Sequence, residues 1–159
     1  MRDASLALPP QVHIDAGIGA AAQLLSAGVI DICVIEKQNQ LGGVWRENTY
    51  PGCACDVPSA FYSYSFAPNA HWKRFYGQQE EIRQYLEDTA SASGVLGKIV
   101  FNCDMSRASW QAGVGEWLLQ TSMGSFTARF VIFATGPMHV PSFPDLPGAL
   151  GRAPLCSVG

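Results

Sequence analysis

Between positions 42 and 56 the chain reads Gly-Gly-Val-Trp-Arg-Glu-Asn-Thr-Tyr-Pro-Gly-Cys-Ala-Cys-Asp. These residue types suit a close approach to a flat ligand. Gly42 and Gly43 lack a Cβ, so the main chain there can come near a bound group. Trp45 offers a broad apolar plane that excludes water. Tyr50-Pro51-Gly52 is a turn signal, and Asp56 supplies a carboxylate just beyond it. The run from Val57 to Phe66 then adds Phe61, Tyr62, Tyr64 and Phe66. Any one of Trp45, Tyr50 or Tyr62 alone would read as ordinary aromatic core. Their joint spacing with Gly43 and Asp56 argues instead for a built site.

Residues this specialised need a frame. Gln11 to Ala16 reads as a short strand on Val12 and Ile14. Ile18 to Ala27, rich in Ala and Leu, reads as a helix ending at Gly28, a natural residue just past a helix end. Asp31 to Glu36 is a nearly continuous apolar run, the pattern of a strand covered on both faces of a parallel sheet. Strand, helix and strand within about 30 residues make a βαβ unit with a right-handed crossover. Residues 38–77 read as a long aromatic loop, punctuated by Pro51-Gly52, Pro58 and Pro68-Asn69, and a loop of that length is usually functional. Gln79 to Ala92 reads as an amphipathic helix with Ile82, Tyr85 and Leu86 on one face. Lys98 to Cys103 reads as a further strand. Trp110-Gln111, Trp117 to Thr121 and Ser125 to Arg129, with glycine turns between them, suggest a small antiparallel meander. Phe130 to Ala134 reads as a second fully buried strand, closed by Thr135-Gly136.

The expected fold class is therefore α/β: an incomplete Rossmann-like dinucleotide-binding domain with a parallel sheet, helices and a small β-meander. Residues 1–10 read as a leader, 11–136 as the domain, and 137–159 as a Pro/Gly-rich linker. The 159 residues suffice for one domain with a core, and 48% hydrophobic against 14% charged residues excludes a disordered chain. A net charge of −3 disfavours nucleic acid as a partner. No apolar run is long enough to span a bilayer. Five cysteines without framework spacing argue for reduced thiols and a cytoplasmic setting. No metal site is expected: Cys53 and Cys55 form a CxC pair, His13, His71 and His139 are scattered, and a tetrahedral site needs about four ligands. Buried small thiols are the simpler reading.

In a dinucleotide-binding βαβ unit, the first turn carries glycines that admit the pyrophosphate at a helix N-terminus. The corresponding segment here is Ile14-Asp15-Ala16-Gly17-Ile18-Gly19-Ala20. Gly17 is the residue left to line a phosphate. Glu36 stands about 20 residues further on, where an acidic side chain accepts hydrogen bonds from ribose hydroxyls.

The stretch from Gly42 to Asp56 resembles the GGxWxxxxYPGxxxD fingerprint of the Baeyer–Villiger and related flavin-containing monooxygenases, and Ala134-Thr135-Gly136 resembles the ATG motif that closes the first flavin segment in that family. The likeness covers roughly residues 11–150. It implies an oxidoreductase that binds FAD, uses NADPH bound outside this chain, and oxygenates ketones or soft heteroatoms of small organic substrates. By resemblance, Gly43, Val44, Trp45 and Arg46 line the FAD pyrophosphate and flavin, Tyr62 contacts the flavin region, and the main chain of Met105 pairs with adenine. Asp56 is the catalytic candidate, placed near flavin and nicotinamide. The family version of the glycine loop reads about Ile-Gly-Ala-Gly-Phe-Ser-Gly-Ile-Gly-Ala. Here Asp15 replaces a glycine and about three residues are missing, which removes about 4.5 Å of helix rise. Those departures imply a damaged phosphate loop, and Leu150 to Gly159 does not match the FxGxxxHxxxW motif. The expectation is an FAD-binding portion, truncated before the NADPH domain and inactive alone. Two alternatives stay open: a non-catalytic remnant or interaction module that self-associates through an unpaired sheet edge, and an N-hydroxylating monooxygenase of the same superfamily.

Overall fold

The computed structural model describes residues 6–8 and 14–136. A parallel four-stranded sheet has the order β5-β2-β1-β9, built from Leu6–Leu8 (β1), Cys33–Ile35 (β2), Ile99–Val100 (β5) and Phe130–Val131 (β9). Ala7 and Leu8 pair with Cys33 and Val34, Val34 pairs with Ile99, and Ala7 pairs with Val131. Between β1 and β2 runs α1, Ile14–Ser26, so the βαβ unit is present. The order is that of the first half of a doubly wound sheet, with its first strand central.

The unit starts earlier than the sequence pattern suggests. The strand expected over 11–16 is replaced by β1 at Leu6–Leu8, inside the segment read as a leader, and Ile14 to Ala16 are already helical. Residues 11–13 lie outside the described ones. Val12 and Ile14 mimic strand alternation, but Leu6-Ala7-Leu8 is the apolar run that finds parallel partners on both sides. At the other end Gly28 adopts φ +83°, the left-handed conformation a helix stop favours.

The region read as one long loop contains three ordered pieces. Val44–Glu47 forms a single helical turn, α2, and Ala54–Pro58 (β3) pairs antiparallel with Tyr76–Gln78 (β4). These strands are short, one ends in proline, and their pairing is distant in sequence, so local pattern does not reveal them. Helix α3 spans Gln79–Ala92, as the amphipathic pattern predicts, and buries Ile82, Tyr85 and Leu86. The meander is Met105–Gln111 (β6), Glu116–Thr121 (β7) and Gly124–Ala128 (β8), all antiparallel.

Two cores result. Ile18, Ala21, Val34, Leu41, Trp45, Ile82 and Leu86 belong to the larger, which joins α1, α3 and the 42–56 bend. Ile35, Cys103, Leu119 and Ala128 form the smaller, between β2 and the meander. The expectation of a fully buried strand over 130–134 fails. Only Phe130 and Val131 are strand, and Phe130 and Phe133 are 66% and 53% exposed. Their strand lies at the sheet's edge among the described residues, with Val131 packed on the smaller core and the Phe133 ring edge to face with Trp117 at 6.4 Å.

Candidate functional site

Glu36 follows β2 directly and is buried. Its N–H donates to the Val100 carbonyl at 3.0 Å, and its own carbonyl accepts the Cys103 N–H at 2.9 Å. The residue is thus held by its main chain on both sides. Its Oε1 accepts the Gln38 N–H at 2.8 Å and lies 3.8 Å from Nη1 of Arg46. A buried carboxylate needs such compensation. Arg46 also donates to the Gln40 carbonyl at 2.9 Å and to Glu47 at 2.8 Å. The guanidinium expected to line a cofactor is therefore occupied by protein groups and braces Glu36.

The 42–56 bend is stiffened by glycine geometry. Gly42 and Gly43 have φ +119° and +49°, values that side chains disfavour. A Cβ on Gly42 would lie 3.1 Å from the Arg46 Cβ and 3.2 Å from the Arg83 Cγ. Its small size therefore serves packing of α2 against α3. The Tyr50-Pro51-Gly52 turn closes with the Cys53 N–H donating to the Tyr50 carbonyl at 3.1 Å, and Gly52 takes φ +84°, the pattern of a type II turn.

Trp45 is buried, and its indole N–H donates to the Tyr62 hydroxyl at 2.9 Å, with the two rings edge to face at 5.7 Å. Glu36, Arg46, Trp45 and Tyr62 are thus connected through side-chain contacts and the single turn of α2, with Gly43 as its N-cap and Val44 buried at its start. The other candidates are placed apart. Asp56 is exposed in β3. Met105 opens β6, pairs with Thr121 and packs its side chain against the smaller core. Gly17 is buried within α1 rather than in a turn. Cys53 and Cys55 are free, buried thiols. Among the described residues, no cluster of His, Cys, Asp and Glu could hold a metal ion.

Two features escaped the sequence reading. Gly19 serves packing: a Cβ there would stand 3.0 Å from the Tyr64 ring, which stacks in turn on Phe66 and Tyr85. Gln79 donates its side-chain amide to the Trp45 carbonyl and its main-chain N–H to the Cys53 carbonyl at 3.0 Å. Its position at the start of α3 was legible, but its partners were not.

A parallel sheet with a βαβ unit, an acidic residue closing β2 and a glycine bend beside it define a dinucleotide-binding α/β domain. Residues 16–78 match the NAD(P)-binding Rossmann-like domain family. A Baeyer–Villiger monooxygenase of Streptomyces coelicolor is 46% identical over 132 residues, 83% of this chain and 25% of that protein. An oxidized steroid monooxygenase bound to NADP superposes with a TM-score of 0.78 at 31% identity, covering 86% of this chain and 26% of that one. OTEMO in complex with FAD and NADP superposes at 0.79 with 28% identity, covering 92% of this chain and 28% of that one. The chain belongs to the Baeyer–Villiger monooxygenase family of flavin-dependent oxidoreductases. It spans about a quarter of the length of the curated relatives it matches. Among the described residues, no helix is long and apolar enough to cross a membrane.

Proposed function

We propose that these residues hold FAD within an NADPH-dependent monooxygenase of the Baeyer–Villiger type, acting in the cytoplasm on a small organic ketone or heteroatom substrate. The observation that carries this reading is the connected set Glu36, Arg46, Trp45 and Tyr62 around a glycine bend at the end of β2. Glu36 accepts the ribose hydroxyls, while Gly43, Val44, Trp45 and Arg46 shape the wall beside the pyrophosphate and flavin. Tyr62 fixes the plane of Trp45, Asp56 faces the nicotinamide side, and the Met105 main chain meets adenine. Bound FAD supplies hydride acceptance and oxygen activation. The chain's own part is to bind, orient and exclude water.

The phosphate side fits less well. Asp15 is the second residue of α1. The residues joining β1 to α1, 9–13, read Pro-Pro-Gln-Val-His and contain no glycine. Weak rather than tight flavin binding is expected. Titration with FAD at saturating concentration should raise the melting temperature and perturb the visible flavin bands, since a ligand at about 100 times Kd stabilises by about 2.7 kcal/mol. An unchanged melting curve and spectrum would sink the reading. The same titration with glycines placed in the 9–13 connection should lower Kd at least about tenfold, about 1.4 kcal/mol.

A second reading, a non-catalytic module that self-associates, draws on the exposed Phe130 and Phe133 beside β9. Edge strands with apolar flanks template pairing with another copy. Concentration-dependent light scattering that disappears in Phe130→Lys would favour it.

A further inference from the structure

We propose that Gln79 is a positioning residue that clamps the 42–56 bend in the shape flavin requires, an inference that rests on the flavin reading above. Helix α2 is one turn long, and a single turn has almost no stability of its own, because nucleation costs more than one hydrogen bond returns. Its carbonyls near the C-terminal end lack the amides a longer helix would supply. Val44 solves this locally: its carbonyl accepts both the main-chain N–H and the side-chain amide of Asn48, each at 2.9 Å. For the Trp45 carbonyl the donor comes from another element, the Gln79 side-chain amide.

Gln79 is the first residue of α3 and follows β4 without a loop. Its main-chain N–H is one of the donors a helix start leaves over, and it reaches the Cys53 carbonyl at 3.0 Å. One residue therefore grips both limbs of the bend, at Trp45 before the Tyr-Pro-Gly turn and at Cys53 after it. The grip is anchored, because α3 is fixed in the larger core by Ile82, Tyr85 and Leu86. Gly77 allows the close seat: a Cβ there would lie 3.1 Å from the Ile82 Cγ1 and 3.5 Å from the Ser59 Oγ. With Tyr62 holding the indole N–H from the far side, Trp45 is fixed at its ring and at its main chain.

Gln79→Glu removes the amide donor and sets a carboxylate against a carbonyl, while keeping side-chain size. An acidic residue at a helix start is otherwise favourable, so the change separates the clamp from the stability of α3. Gln79→Ala is the second variant. The chain labelled with fluorotryptophan reports each indole by 19F NMR, with Trp45 assigned through Trp45→Phe. In both variants the Trp45 resonance should shift or broaden while those of Trp72, Trp110 and Trp117 stay in place. The FAD Kd should rise at least tenfold. An unmoved Trp45 resonance, four resonances moving together, or a moved Trp45 with unchanged FAD affinity would each overturn the proposal. If the unaltered chain takes up no FAD, the flavin reading fails, and the Trp45 resonance still decides whether Gln79 clamps the bend.

Discussion

Gly42, Gly43 and Gly52 occupy positive φ in the bend after β2, whereas Gly17 and Gly19 lie inside α1. The first set shapes a connection that brings Trp45, Arg46 and Glu36 together. The second set serves packing, with Gly19 making room for the Tyr64 ring. Both stretches hold the glycine spacing that suggests a nucleotide, yet only the bend uses it for main-chain geometry. Glycine spacing alone thus does not distinguish a phosphate cradle from a helix face that must let an aromatic ring come close. What tells them apart is whether the backbone leaves regular structure.

The contrast breaks most visibly at Trp45. Trp45→Ala removes a buried indole together with its hydrogen bond to the Tyr62 hydroxyl, and should cost about 3–5 kcal/mol. For a chain of this size that lowers the melting temperature by roughly 10 °C, measured by circular dichroism. A smaller loss is expected across the gap, at Gly19. Gly19→Val drives a branched side chain into Tyr64 and should cost about 1–3 kcal/mol in a urea unfolding series. Were Gly19 a phosphate contact instead, the same change would weaken flavin binding and leave apo stability nearly intact.

The least effect belongs to β2, which both stretches share. Burial, with a smaller push from Cys103, raises the Cys33 thiol from 9.0 to about 11. As pH rises, the unfolded chain gives up this proton before the native one does. The associated stability is therefore complete below pH 9.0 and is lost as pH climbs towards 11. A urea midpoint that falls over this interval, and falls less in Cys33→Ala, is the expected result.

Much of this was legible in the residues. Helix α3 follows its amphipathic pattern, Gly28 stops α1, and the meander follows its alternation and glycine turns, because each signal is local. The start of the βαβ unit was misread because Val12 and Ile14 imitate a strand, while the actual partners of β2 lie upstream at Leu6–Leu8. The β3–β4 ribbon was invisible because its two short strands depend on each other across the aromatic segment. At the site, the types and spacing of Gly43, Trp45 and Tyr62 pointed to one locus, and the indole–hydroxyl bond joins two of them. The occupation of Arg46 by Glu36, Gln40 and Glu47 could not be read, since it depends on how α2 turns after Gly43. Gln79 looked like any helix-starting polar residue for the same reason.

Phe130 and Phe133 carry a consequence for anyone handling the molecule. Among the described residues both rings face outward, and exposed apolar rings of this kind take up dyes such as ANS. Retention on a hydrophobic resin that falls in Phe130→Lys is the expected outcome.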